Sequence, residues 1–103
     1  MPVNRDLERQ RVRELEARER EEEYLRRSEI IKRAAESLKL SQDIRRLVVC
    51  LGSTNKTHEL SYDSFGHFEG MLEWCTEYAN SLDPTNRLAD IVEEFTSPPR
   101  RRW

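Results

Sequence analysis

Cysteine is scarce in this chain, with two residues in 103, and so is any long run of apolar residues. Two thiols behind an N-terminus without a leader point to a reducing, cytoplasmic setting. The longest uninterrupted apolar run is Leu47–Leu51, far short of the ~20 residues a membrane helix needs. The opening residues, Met1-Pro2-Val3-Asn4-Arg5-Asp6, hold no apolar segment of the secretory kind. Pro2 stands where myristoylation requires glycine, and the last residues form no prenylation box. Aromatics make up 8% of the residues and charged residues 37%. That balance would suit a disordered chain, but the apolar residues of one part are too regularly spaced for disorder. There is no internal repeat and no convincing strand pattern.

What is present divides near Ile30. From Arg5 to Glu29, 17 of 25 residues are charged and six are apolar. From Ile30 to Phe95, apolar residues recur at helical spacing, punctuated by caps and stops. The chain therefore has three parts: a charged, solvated helix over 1–29, a small helical bundle over 30–97, and a basic, mobile tail over 98–103. The bundle has roughly 65–70 residues to bury, near the lower limit for independent stability. Residues 1–51 carry 13 basic and 11 acidic groups, residues 52–97 two basic and nine acidic groups, and the tail adds Arg100, Arg101 and Arg102. An acidic body repels nucleic acid and anionic lipid and suits a basic protein partner.

In the first part, Asn4 is placed to cap a helix starting at Arg5. Glu precedes Arg by four residues at Glu14/Arg18, Glu16/Arg20, Glu22/Arg26, Glu23/Arg27 and Glu29/Arg33. Each such pair contributes about 0.2–0.5 kcal/mol, enough together to support a helix in water. A coiled coil needs a sustained apolar seam. Val12 and Leu15 begin one, but Glu19 and Glu22 occupy its next places, so a single solvated helix is preferred. Leu7, Val12, Leu15 and Leu25 form a sparse stripe suited to lying along a partner.

In the second part, Ile30, Ile31, Ala34, Ala35 and Leu38 give the first helix a buried face. A break is expected near Leu40, with Ser41 capping a second helix that carries Ile44, Leu47, Val48 and Leu51. Gly52 is expected as a left-handed stop, and Ser53–Thr57 as a turn. Ser61 is expected to cap a further helix. Its seam is Phe65, Phe68, Leu72, Cys75, Ala79 and Leu82, the cleanest periodicity in the chain. Asp83-Pro84 reads as a cap followed by a first-turn proline, opening a last helix with Leu88, Ile91, Val92 and Phe95. The fold class is all-α: a long charged N-terminal helix leading into a small bundle of three to four helices.

No constellation identifies a reaction. An EF-hand register over Gly52–Phe65 puts His58 where glycine is needed and Ser64 where a bidentate glutamate belongs, which argues against calcium. Cys50, His58, His67 and Cys75 lie eight or nine residues apart, unlike the close pairing of zinc ligands. Catalytic, metal and cofactor residues are therefore assigned as none, and the chain is read as no enzyme. Gly66 and Gly70 cost about 1 kcal/mol each in helix propensity, which predicts a close approach by another helix. Trp74 and Tyr78 are candidate interface anchors. Arg100, Arg101 and Arg102, followed by Trp103, are a candidate basic contact.

The stretch Leu51-Gly52-Ser53-Thr54-Asn55-Lys56-Thr57-His58-Glu59-Leu60-Ser61, with Phe65-Gly66-His67-Phe68 after it, resembles the opening segment of the costars family. These are small proteins related to the C-terminal domain of actin-binding Rho-activating protein. The resemblance covers residues 51–68. It implies a compact, winged-helix-like body linked to actin regulation.

The reading from the residues is a non-catalytic protein-protein interaction module. It is a helical adaptor or accessory structural subunit of a larger, cytoskeletal assembly. It docks through Leu7, Val12, Leu15 and Leu25 on the rod, Trp74 and Tyr78 on the body, and Arg100, Arg101 and Arg102. Protein partners are expected, a second copy among them, with no membrane and no nucleic acid. The alternative is a costars-like actin regulator acting through the C-terminal body.

Overall fold

The computed structural model describes residues 5–97. Three α-helices account for most of them: α1, Arg5–Gly52; α2, Tyr62–Leu82; and α3, Leu88–Thr96. A 3-10 turn, Asn55–Glu59, joins α1 to α2, and another, Pro84–Arg87, joins α2 to α3. No strand occurs among the described residues. Asn4, the expected cap of α1, lies outside them, as do Arg100, Arg101 and Arg102.

The expected break at Leu40 does not occur. α1 runs through Ser41 without interruption and reaches 48 residues. Ser41 is fully buried and its hydroxyl donates to the Ala79 carbonyl of α2 at 2.9 Å. A serine can cap a helix because its side chain satisfies a backbone group. Here a carbonyl on the neighbouring helix takes that hydroxyl, so nothing stops the helix. Ala79, also fully buried, is the small residue that lets the backbones approach closely enough for the bond.

Gly52 ends α1, but not in the left-handed conformation expected of it, since no described residue has positive φ. The Ser53 amide instead donates to the Val49 carbonyl at 3.0 Å, and the Thr54 amide donates to Leu51 at 3.4 Å. Ser61 caps α2 as expected: its side chain accepts from the Ser64 amide at 3.2 Å. Asp83 closes α2 and also opens the connection to α3. Its amide donates to Ala79 at 3.1 Å, and its carboxylate accepts from the Thr85 amide at 2.9 Å. Pro84 starts a 3-10 turn there, so the last α-helix begins at Leu88.

Pairing is antiparallel. Going down α1, Gly52 stands near Leu72, Arg45 reaches Asn80 and Asp83, Ser41 meets Ala79, and Arg26 meets Glu94, Phe95 and Ser97. So α2 and α3 form a kinked second rod lying along the C-terminal half of α1. The expected α2 seam meets α1: Phe68, Leu72, Cys75 and Leu82 are half-buried around Ala79, while Phe65 at its end is exposed. Contact with α3 extends back along α1 to Glu23–Arg27, N-terminal to the change in composition at Ile30. The molecule measures 90 × 20 × 18 Å. Among the described residues, only Ile30 and Ala79 are apolar and buried.

Candidate functional site

N-terminal to Glu23 every described side chain is exposed, over roughly 27 Å of helix. Leu7, Val12, Leu15 and Leu25 all lie on solvent. Leu7 and Leu25 are five full turns apart and share one phase, whereas Val12 is rotated by about 140° from them. The stripe is therefore broad and does not make a single coiled-coil seam. Of the five glutamate–arginine pairs expected along α1, two close as ion pairs: Glu23–Arg27 at 2.9 Å and Glu29–Arg33 at 3.9 Å. In a third, Arg20 donates to the Glu16 carbonyl at 3.3 Å. Arg26, expected to serve Glu22, has another use.

Arg26 fastens α3. Its Nη1 donates to the Glu94 carbonyl at 2.6 Å, and its Nη2 to Phe95 at 3.2 Å and Ser97 at 2.9 Å. The last carbonyls of a helix lack intrahelical donors and carry the negative end of its dipole. No basic residue occurs in the last turn of α3, so α1 supplies the cation. Glu23 orients that guanidinium through its two oxygens, accepting from Nε at 3.1 Å and Nη2 at 2.6 Å. The hydrogen bond from Arg26 holds the Glu23 carboxyl below its ordinary range and pushes Arg26 up. Arg27 lies over the Phe95 ring, 4.8 Å from its centre, in cation–π contact.

The second fastening joins α1 to the α2–α3 corner. Arg45 Nη2 lies 2.8 Å from Asp83 Oδ2 and donates to Asn80 Oδ1 at 3.0 Å. The Thr85 hydroxyl and amide, followed by Arg45, hold the Asp83 carboxyl below its ordinary range. Neither fastening was visible in the sequence, because the partners lie far apart in the chain. The absence of a basic residue in the last turn of α3 was the available hint.

Trp74 and Tyr78 come together on α2 with ring centres 5.1 Å apart. Trp74 is 61% exposed. Helical phase places them within a larger surface. From the seam at Ser41, the residues Leu40, Ile44, Leu47 and Leu51 lie about 60–120° round α1 in one direction. From Ala79, the residues Met71, Trp74 and Tyr78 lie about 80–140° round α2. The helices are antiparallel, so both sets fall on the same side of the hairpin. Leu40, Leu47, Met71, Trp74 and Tyr78 are all exposed.

Gly66 and Gly70 do not serve the close approach expected of them: a Cβ built at either meets nothing within 4 Å. Cys50 is exposed and Cys75 half-buried. No three His, Cys, Asp or Glu residues gather as metal ligands among the described residues. No described helix is long and apolar enough to cross a membrane.

No protein family, curated protein or solved structure matches this chain.

Proposed function

We propose that the protein is a non-catalytic helical adaptor, an accessory subunit that links protein partners within a larger assembly, cytoskeletal assemblies included. The observation that carries this reading is the imbalance between its core and its surface. Two apolar residues are buried, while 17 large apolar side chains are exposed, among the described residues. Exposed apolar surface gathered into patches marks interaction sites. Eight of them fall on two separate places, Leu7, Val12 and Leu15 on the projecting stretch of α1 and Leu40, Leu47, Met71, Trp74 and Tyr78 on one side of the α1–α2 hairpin. Two docking surfaces on one rigid helix are the elementary form of an adaptor.

The test is affinity capture from native extract with the full chain and two surface variants. Leu7→Glu, Val12→Glu and Leu15→Glu together alter the projecting helix, and Trp74→Glu alters the hairpin. The adaptor reading expects the first variant to lose a set of partners while circular dichroism is unchanged. Recovery of every partner by both variants sinks it. A costars-like actin regulator, the second reading from residues 51–68, acts through the body alone. It would co-sediment with filamentous actin whether or not the projecting helix was altered.

A further inference from the structure

We propose that residues 98–103 dock on α1 as a strap, in the groove beside the end of α3. Arg100, Arg101 and Arg102 meet the ridge of Glu16, Glu19 and Glu22, and Trp103 covers Val12 and Leu15. A partner that binds the projecting helix must then displace the chain's own segment; only this last consequence rests on the adaptor reading.

Place and reach fit. Glu16, Glu19, Glu23, Tyr24, Phe95 and Ser97 are among the walls of the groove. Ser97 is the last described residue, so the segment starts inside the groove. The bonds of Arg26 hold the end of α3 level with Glu23 and Arg26. Ser97 leaves the helix in extended backbone, φ −64° and ψ 134°, as a residue before proline prefers. A chain that keeps the direction of α3 passes Glu19 and then Glu16. Six extended residues reach about 20 Å. Leu15 and Val12 lie about 17 and 21 Å along α1 from Arg26.

Charge marks the same stretch. Residues 14–23 of α1 carry six acidic and two basic groups. On either side the balance reverses: residues 5–13 carry four basic and two acidic groups, and residues 24–51 seven basic and three acidic. The acidic stretch of α1 is therefore the one beside which the three arginines leave Ser97. Not all its carboxylates face them. Glu23 is taken by Arg26 and Arg27, and Glu14 and Glu21 lie about 140–160° round α1 from Glu19. Glu16, Glu19 and Glu22 form a ridge of three-residue spacing, each about 60° from the next. The arginines that sequence spacing offers to Glu16 and Glu22 are used elsewhere. Arg20 donates to the Glu16 carbonyl, and Arg26 serves the end of α3. Val12 and Leu15 are exposed and lie within about 40° of Glu19 round the helix, where Trp103 can reach them. Asp90, Glu93 and Glu94 are acidic too, but they lie behind Ser97 on α3. Reaching them requires a reversal at Pro98-Pro99, a pair that favours extended backbone.

The test is nuclear magnetic resonance on the purified full chain. Backbone order parameters over Arg100–Trp103 are expected above about 0.6, the upper bound of flexible chain. Overhauser contacts are expected from the Trp103 indole to the methyls of Val12 or Leu15, unchanged on dilution. Arg100→Glu, Arg101→Glu and Arg102→Glu together leave every helix intact and are expected to drop the order parameters below that bound and abolish the contacts. Glu16→Lys, Glu19→Lys and Glu22→Lys together are expected to do the same at unchanged helicity. The chain carrying both triples should recover order and contacts, which a merely structural effect of either triple would not produce. Low order in the unaltered chain, Trp103 contacts to other residues, or contacts that fade on dilution overturn the proposal. Indifference to either triple, or no recovery when both are present, overturns it as well. No partner is involved, so each of these outcomes leaves the adaptor reading to its own capture experiment.

Discussion

Ser41 and Ala79 meet where the two rods come closest, and both are fully buried. No slack is available there for a larger side chain. Ala79→Leu is expected to destabilise the fold by about 1–3 kcal/mol through overpacking, measured by urea denaturation. Ser41→Ala removes one hydrogen bond and leaves the Ala79 carbonyl still served by the Asp83 amide. Its expected cost is about 0.5–1.5 kcal/mol. The same residue shows why the sequence suggested a break that α1 does not have. A serine beside an aspartate two positions on has the local form of a cap, and only the neighbouring helix reveals the hydroxyl's destination. Ser61, whose acceptor role is local, was legible for the same reason that Ser41 was not. The charged fastenings carry a pH signature. Glu23 and Asp83 are held below their ordinary carboxyl range in the folded chain. Stability from both is present at neutral pH and is lost as pH falls below that range through the lowered folded values. Arg26→Ala removes the largest cause acting on Glu23. It should lower the melting temperature at pH 7 and make it fall less between neutral and acid pH. Arg26→Lys should rescue little, since an ammonium lacks the fork that reaches three carbonyls and a carboxylate.

At the scale of elements, α2 is unusual in carrying two glycines on its outward side with open space around both. In an exposed helix interior each glycine costs about 1 kcal/mol relative to alanine. Gly66→Ala and Gly70→Ala are therefore expected to stabilise the isolated protein by roughly that much each, and a chemical melt decides it. A loss of stability would show that something closes on that strip. The periodic seam of α2 and its Ser61 cap were readable because their spacing and chemistry are local to the helix. The glycines were misread because helix propensity records a cost without saying what, if anything, offsets it. The stop at Gly52 shows a similar limit. Glycine permits a left-handed turn, but the 3-10 turn after it does not demand one.

For the molecule as a whole, composition and contact divide the chain at different places. Charge density changes at Ile30, yet α3 is fastened by Glu23, Arg26 and Arg27. Removing residues 1–29 is expected to free α3, seen as lost amide protection over Leu88–Thr96. Removing residues 1–19 should keep that protection and take away only exposed helix. The all-α class and the long N-terminal helix were legible because periodicity and ion-pair spacing describe single helices. Which helices touch depends on pairs such as Arg26 with Glu94, and on residues whose role is set by a neighbour.

Because α1 is continuous from Arg5 to Gly52, its exposed N-terminal stretch is the arm of a lever whose fulcrum is the seam at Ile30 and Ser41. From Ser41 to Arg5 that helix is about 54 Å long, so a tilt of about 10° at Ser41 swings the tip by roughly 9 Å. A break at Ser41 would have absorbed such a tilt locally. Without one, a small repacking beside Ala79 is converted into a displacement of Leu7 and Val12, at the far end of the molecule.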